Sequence, residues 1–177
     1  MNADAARPTV TTPTTAITPV TAIDENAPAI VRVSTTVNAP LATVWDLHTD
    51  IAGWARWNPD VDRVEFSGPL TAGASFNWLT HGLDITSTLF QVVRGERIVW
   101  GGPANGIDGV HVWAFEEHDG VVTVHTEESW SGPVVEAQPV ELRQALEQSL
   151  TDWLGRLKAE AVAEEAQTQA EAQAGNR

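Results

Sequence analysis

Cysteine and tyrosine are both absent from the 177-residue chain. Without cysteine there is no disulfide, no thiolate nucleophile and no cysteine-ligated metal. Without tyrosine, one common general acid is missing from any mechanism. Basic residues are few: 10 Lys and Arg stand against 24 Asp and Glu, a net charge of −14. Nucleic acids and anionic membrane surfaces need a basic face, so neither is an expected partner. No apolar run approaches the roughly 18 residues of a membrane span. The first residues lack the basic start and apolar stretch of a secretory signal. A cytoplasmic protein is the expectation.

Motifs for cofactors are missing as well. No two histidines share a helix face at metal-ligand spacing. The stretch "GGPANGIDG" (101–109) is Gly-rich but lacks the Lys and following helix of a phosphate loop, and it reads as a mobile lid. No G-x-S-x-G elbow occurs, and Ser75, Ser87 and Ser129 have no evident His and acid partners. Neither a cofactor nor a metal is expected.

What the chain has instead is tryptophan. There are eight Trp and four Phe, and Trp45, Trp54 and Trp57 fall within thirteen residues. Trp packs a large surface and keeps one N–H donor, which suits the half-buried wall of a pocket.

Residues 1–28 are Thr/Pro/Ala-rich without periodicity and read as a flexible tail. Residues 29–163 carry one pattern, and 164–177 form a polar tail or helix extension. "AIVRVSTTV" (29–37) alternates and is β-branched, as a strand should be. "NAP" then opens a helix with Pro40 at its first position, on which Leu41, Val44, Trp45 and His48 share a face. A second short helix covers "IAGWAR" and ends before Asn58-Pro59.

Six strands are predicted next, over 62–68, 74–81, 83–93, 97–102, 109–118 and 121–130, separated by Gly-containing turns. A long helix over 138–163 closes the pattern, with Leu142, Leu146, Leu150, Trp153 and Leu157 as its apolar stripe. Asp152 and Arg156, four apart, are expected to pair on its wet side. The fold class is therefore α+β. A seven-stranded antiparallel sheet curves around the C-terminal helix, with two short helices after the first strand and an internal cavity.

"VSTTVNAPLATVWDLHTDIAGWARWNPDV" resembles the opening of the START-like, helix-grip (SRPBCC) superfamily, and within it the polyketide cyclase/dehydratase-like proteins. Ala39-Pro40, Val44-Trp45, Asp50, Trp54 and Trp57-Asn58-Pro59 carry the resemblance. The strand patterns of "GASFNWLTHGLDITSTLFQVVRGERIVWGG" and "HVWAFEEHDGVVTVHTEESWSG" extend it over about residues 30–160. It implies a deep apolar cavity between sheet and helix. In several cyclases of the family, Arg, Tyr and Ser groups act in that cavity, and the lack of Tyr here removes that set.

Strand alternation sorts the remaining candidates. Phe76 and Trp78 share a face, as do His111, Trp113 and Phe115, whose rings need burial most. Val122, Val124, Thr126, Glu128 and Trp130 form the apolar face of the last strand. It must point inward, and it carries Glu128 with it. A buried carboxyl is costly to ionise, which tunes it for acid–base work near neutral pH. Glu128 and His111 are the candidate catalytic residues. Trp54, Trp57, Asn58, Phe76, Trp78, Trp100, Trp113, Trp130 and Trp153 are the candidate ligand-binding residues, with Trp54 and Trp57 at the cavity mouth. Trp45 is expected in the core and His81 in an exposed turn. His48, His118 and His125 are expected at the solvent or at element ends.

The expected occupant is an apolar, carbonyl-rich small molecule of polyketide type, which the protein cyclises or dehydrates. The alternative is a non-catalytic carrier of a hydrophobic ligand. Monomer and homodimer are both compatible with the pattern.

Overall fold

The computed structural model describes residues 20–175. Strand β1 (Ala29–Val37) leads into helix α1 (Leu41–Thr49) and a 3-10 helix over Ile51–Arg56. Six strands follow: β2 (Val61–Glu65), β3 (Ser75–Thr80), β4 (Leu83–Val93), β5 (Arg97–Ala104), β6 (Ile107–His118) and β7 (Val121–Ser131). A short α2 (Pro133–Ala137) precedes the long α3 (Pro139–Gly175). The seven strands form one antiparallel sheet in the order β1-β7-β6-β5-β4-β3-β2. The fold is the expected α+β helix-grip arrangement.

Two-residue turns set the register. At His81-Gly82, Asn105-Gly106 and Asp119-Gly120 both central residues have positive φ, between 48° and 82°. That geometry matches the right-handed twist of paired strands. The turn at Asn105-Gly106 corrects the reading of 101–109 as a loop. The segment continues β5 and β6 as a paired hairpin, with Gly102 opposite Gly109.

The helix start also differs from expectation. Pro40 is the cap residue rather than the first helical one, with extended backbone (φ −57°, ψ 145°). Its carbonyl accepts the Val44 N–H and closes the first turn. Sequence periodicity gave no sign of α2. The α3 stripe is Leu146, Leu150, Trp153, Leu154, Leu157 and Ala161, all buried. It lies on the concave face of the sheet, where Trp153, Leu154 and Leu157 join the main core. Leu142, placed on the stripe by spacing, is only half-buried. Beyond residue 163 the helix continues to Gly175 with polar, almost wholly exposed residues.

Of the flexible tail expected over 1–28, residues 1–19 lie outside the described part. Residues 20–28 pack on the outer face of the sheet. Ile23 is buried with Val99 and Val112. Thr21 accepts from Arg97, and the Asp24 N–H donates to Ser129 Oγ at 3.0 Å. Ser129, next to Glu128 on β7 and so on the opposite face of the strand, is buried where this strap bonds to it.

Candidate active site

A cavity of about 500 Å³ opens between α3 and the β3–β7 part of the sheet. Its wall carries Trp78, Trp100, Trp130 and Trp153, with Ile85 and Leu150. Exposed His81, in the β3–β4 turn, and Leu83, at the start of β4, line its open end. The turn position of His81 agrees with the reading of the sequence.

Two polar groups meet on this wall. His111 of β6 and Glu128 of β7 are directly opposed across the sheet. Counting outward from the Asp119-Gly120 turn gives the same pairing, a signal that alternation alone does not use. Glu128 Oε2 lies 3.2 Å from His111 Nδ1. Nδ1 has no well-aligned hydrogen-bond partner, so this is a close contact rather than a formed ion pair. Trp130 Nε1 donates to Glu128 Oε1 at 2.7 Å. His111 Nε2 is 2.8 Å from Thr126 Oγ1.

Burial decides the charge. Desolvation raises the Glu128 carboxyl to about 8, against the smaller opposing pull of the Trp130 N–H. Desolvation also holds His111 well below the usual imidazole range, aided by the proximity of His48. Both groups are therefore neutral at pH 7: a carboxylic acid beside an imidazole. The Glu128 side chain is 13% exposed, whereas that of His111 is 2% exposed. Both line the cavity, and Glu128 is the more open of the two to a ligand.

The other predicted site residues divide cleanly. Trp78, Trp100, Trp130 and Trp153 line the cavity. Trp54, Trp57, Asn58, Phe76 and Trp113 do not. The placement of Trp54 and Trp57 at the mouth is corrected. The 3-10 helix turns Trp54 inward until it is fully buried, edge-on to Phe76, Trp78 and Trp153. Its indole N–H donates to the His48 carbonyl at 2.7 Å. Trp57 is 8% exposed and backs Trp153. Phe76 and Trp113 are core, and Trp45 is core as expected.

Asn58 is structural in its contacts. Its Oδ1 accepts from Arg156 Nη1 at 2.7 Å and from the Asp60 N–H at 3.2 Å. Arg156 also pairs with Asp60, which lines the cavity. The predicted Asp152–Arg156 pair is thus replaced. Arg156 reaches across to Asn58 and Asp60, while Asp152 accepts from Gln148. Sequence reasoning missed this clamp because a long side chain bridges elements about 100 residues apart.

His48 is the second surprise. It stands at the end of α1, as one reading allowed, but it is fully buried. Its ring lies 4.3 Å from that of Trp113, and neither ring nitrogen has a partner. Desolvation lowers it to about 3, so it is neutral throughout the physiological range. His118 and His125 are exposed, as expected.

No cluster of three or more His, Asp or Glu suited to a metal occurs among the described residues. Among them, too, no helix is long and apolar enough to cross a membrane.

The family model for polyketide cyclase / dehydrase and lipid transport proteins matches residues 28–162. The chain belongs to that family. Solved structures share the fold. A hypothetical protein of Helicobacter pylori, jhp0584, is 19% identical, with TM-score 0.69 over 82% of this chain and 99% of that one. The Zhui aromatase/cyclase from Streptomyces sp. R1128 is 18% identical, with TM-score 0.64 over 75% and 92%. A START superfamily protein from Mycobacterium smegmatis is 10% identical, with TM-score 0.63 over 75% and 96%. No curated protein matches the sequence.

Proposed function

We propose that this protein binds an apolar, carbonyl-bearing small molecule of polyketide type in the cavity and cyclises or dehydrates it. One observation carries the reading: Glu128, a neutral carboxylic acid near pH 7, is presented on a tryptophan-lined wall. An acid that titrates near the working pH both gives and takes protons efficiently.

A dehydration illustrates the balance. Glu128 protonates the departing hydroxyl of a β-hydroxy ketone, and the C–O bond breaks to release water. The carboxylate left behind removes the proton from the carbon next to the carbonyl. A conjugated ketone forms and Glu128 regains its proton. Trp78, Trp100 and Trp153 fold the flexible molecule into a reactive shape, which itself supplies part of the rate. His111 flanks the carboxyl on the neighbouring strand.

The carrier reading rests on the largely apolar wall and on the lipid transport members within the family description. A ligand panel of polyketide-like and polycyclic aromatic compounds separates the two. Binding is read by quenching of tryptophan fluorescence, and each hit is incubated and examined by LC–MS. The enzyme reading expects a hit that returns with a cyclised mass or one water lighter. A tight hit recovered unchanged across the panel would favour the carrier.

A further inference from the structure

Thr126 of β7 is 2% exposed and does not line the cavity, yet it is bonded to the acid–base pair. Its Oγ1 lies 3.1 Å from the Val112 carbonyl and 2.8 Å from His111 Nε2. The hydroxyl directs its single proton at the Val112 carbonyl, which can only accept. The hydroxyl lone pair is then left for His111, and Nε2 must carry the ring proton. A neutral imidazole has one N–H, which leaves Nδ1 bare. That bare nitrogen faces Glu128 Oε2 at 3.2 Å. A carboxylate there would set lone pair against lone pair. A proton on Oε2 relieves that repulsion, while Oε1 accepts from Trp130.

We infer that Thr126 is a positioning residue: its hydroxyl fixes the His111 tautomer and, through it, adds to the burial that keeps Glu128 in the acid form. The inference holds whether the cavity's occupant is converted or only carried. Without the hydroxyl, His111 is free to move its N–H to Nδ1, where the N–H dipole would face Glu128 Oε2 and favour the carboxylate. The other ionisable groups around the pair are His48 from α1, Asp60 and His81 at the β2 and β3–β4 ends, and Asp152 from α3. All are untouched by changes at position 126.

The experiment uses the full chain with Thr126→Val, which removes the hydroxyl at constant shape, and Thr126→Ser, which restores it. Nitrogen-15 NMR reads the His111 tautomer, with the signal assigned by its loss in His111→Gln. Infrared spectroscopy reads the Glu128 carboxylic acid band, assigned by its loss in Glu128→Gln. Wild type and Thr126→Ser are expected to show the N–H on Nε2 and the acid band at neutral pH. Thr126→Val is expected to move the N–H to Nδ1 and to lose the acid band about one pH unit or more lower. A wild-type N–H on Nδ1 would overturn the assignment, as would a Thr126→Val protein that keeps both signals. If Thr126→Val does not fold, the wild-type and Thr126→Ser spectra still decide between the two tautomers.

Discussion

Replacing Glu128 by Gln is expected to make the protein more stable than wild type at alkaline pH. The unfolded chain ionises this carboxyl above its ordinary value of 4.5, whereas the folded protein holds the proton up to about 8. Between those values the folded state binds more protons than the unfolded state. Stability therefore falls as pH rises, by up to about 1.4 kcal/mol per unit. His48 works in the opposite direction. Its folded value of about 3 lies below its ordinary 6.5, so it costs stability as pH falls through that interval. Above pH 6.5 only the Glu128 contribution remains of the two. Wild type should lose about 2 kcal/mol between pH 6.5 and 8, and Glu128→Gln should not. The carboxamide mimics the acid: its oxygen can accept from Trp130 and its N–H can point at His111 Nδ1. Urea midpoints measured at half-unit pH steps check the difference. Parallel pH profiles for the two proteins would remove the neutral carboxyl from the account.

Trp54→Ala is expected to cost more than any change on the cavity wall. Trp54 is fully buried and lies within about 6 Å, ring to ring, of Phe76, Trp78, Trp100 and Trp153. It backs three of the tryptophans that shape the cavity. Truncation of such a residue costs about 3–5 kcal/mol, a large share of the about 5–15 kcal/mol that holds a typical domain together. It also strips the donor from the His48 carbonyl. Thermal or denaturant unfolding measures the loss. The same experiment on Trp130→Phe gives the contrast, since Trp130 is only half-buried. A Trp54→Ala protein as stable as Trp130→Phe would contradict this placement of the core.

The fold was legible because its strands alternate and its turns are strong. The pattern "AIVRVSTTV" matched β1 residue for residue, and β4 was matched likewise. The stripe on α3 demanded a sheet to cover. The glutamate on the apolar face of β7 was legible for the same reason. Its pairing with His111 follows from a two-residue turn once the register is counted.

Other features depend on contacts that no periodicity encodes. A 3-10 helix has no long amphipathic face, so nothing in "IAGWAR" said that Trp54 points to the centre. Arg156 leaves its own helix to hold Asn58 and Asp60. The strap over residues 20–28 shows no strand or helix period, yet Ile23 and Asp24 anchor it to the sheet. Thr126 reads as an ordinary strand residue until its hydroxyl is seen between His111 and Val112.

The most direct test of the central claim is the single-turnover rate of a captured ligand on wild type and on Glu128→Gln, with binding measured on both. Removing the proton donor should slow conversion about 100-fold or more while the dissociation constant stays within a few-fold. Equal rates on the two proteins would take Glu128 out of the chemistry.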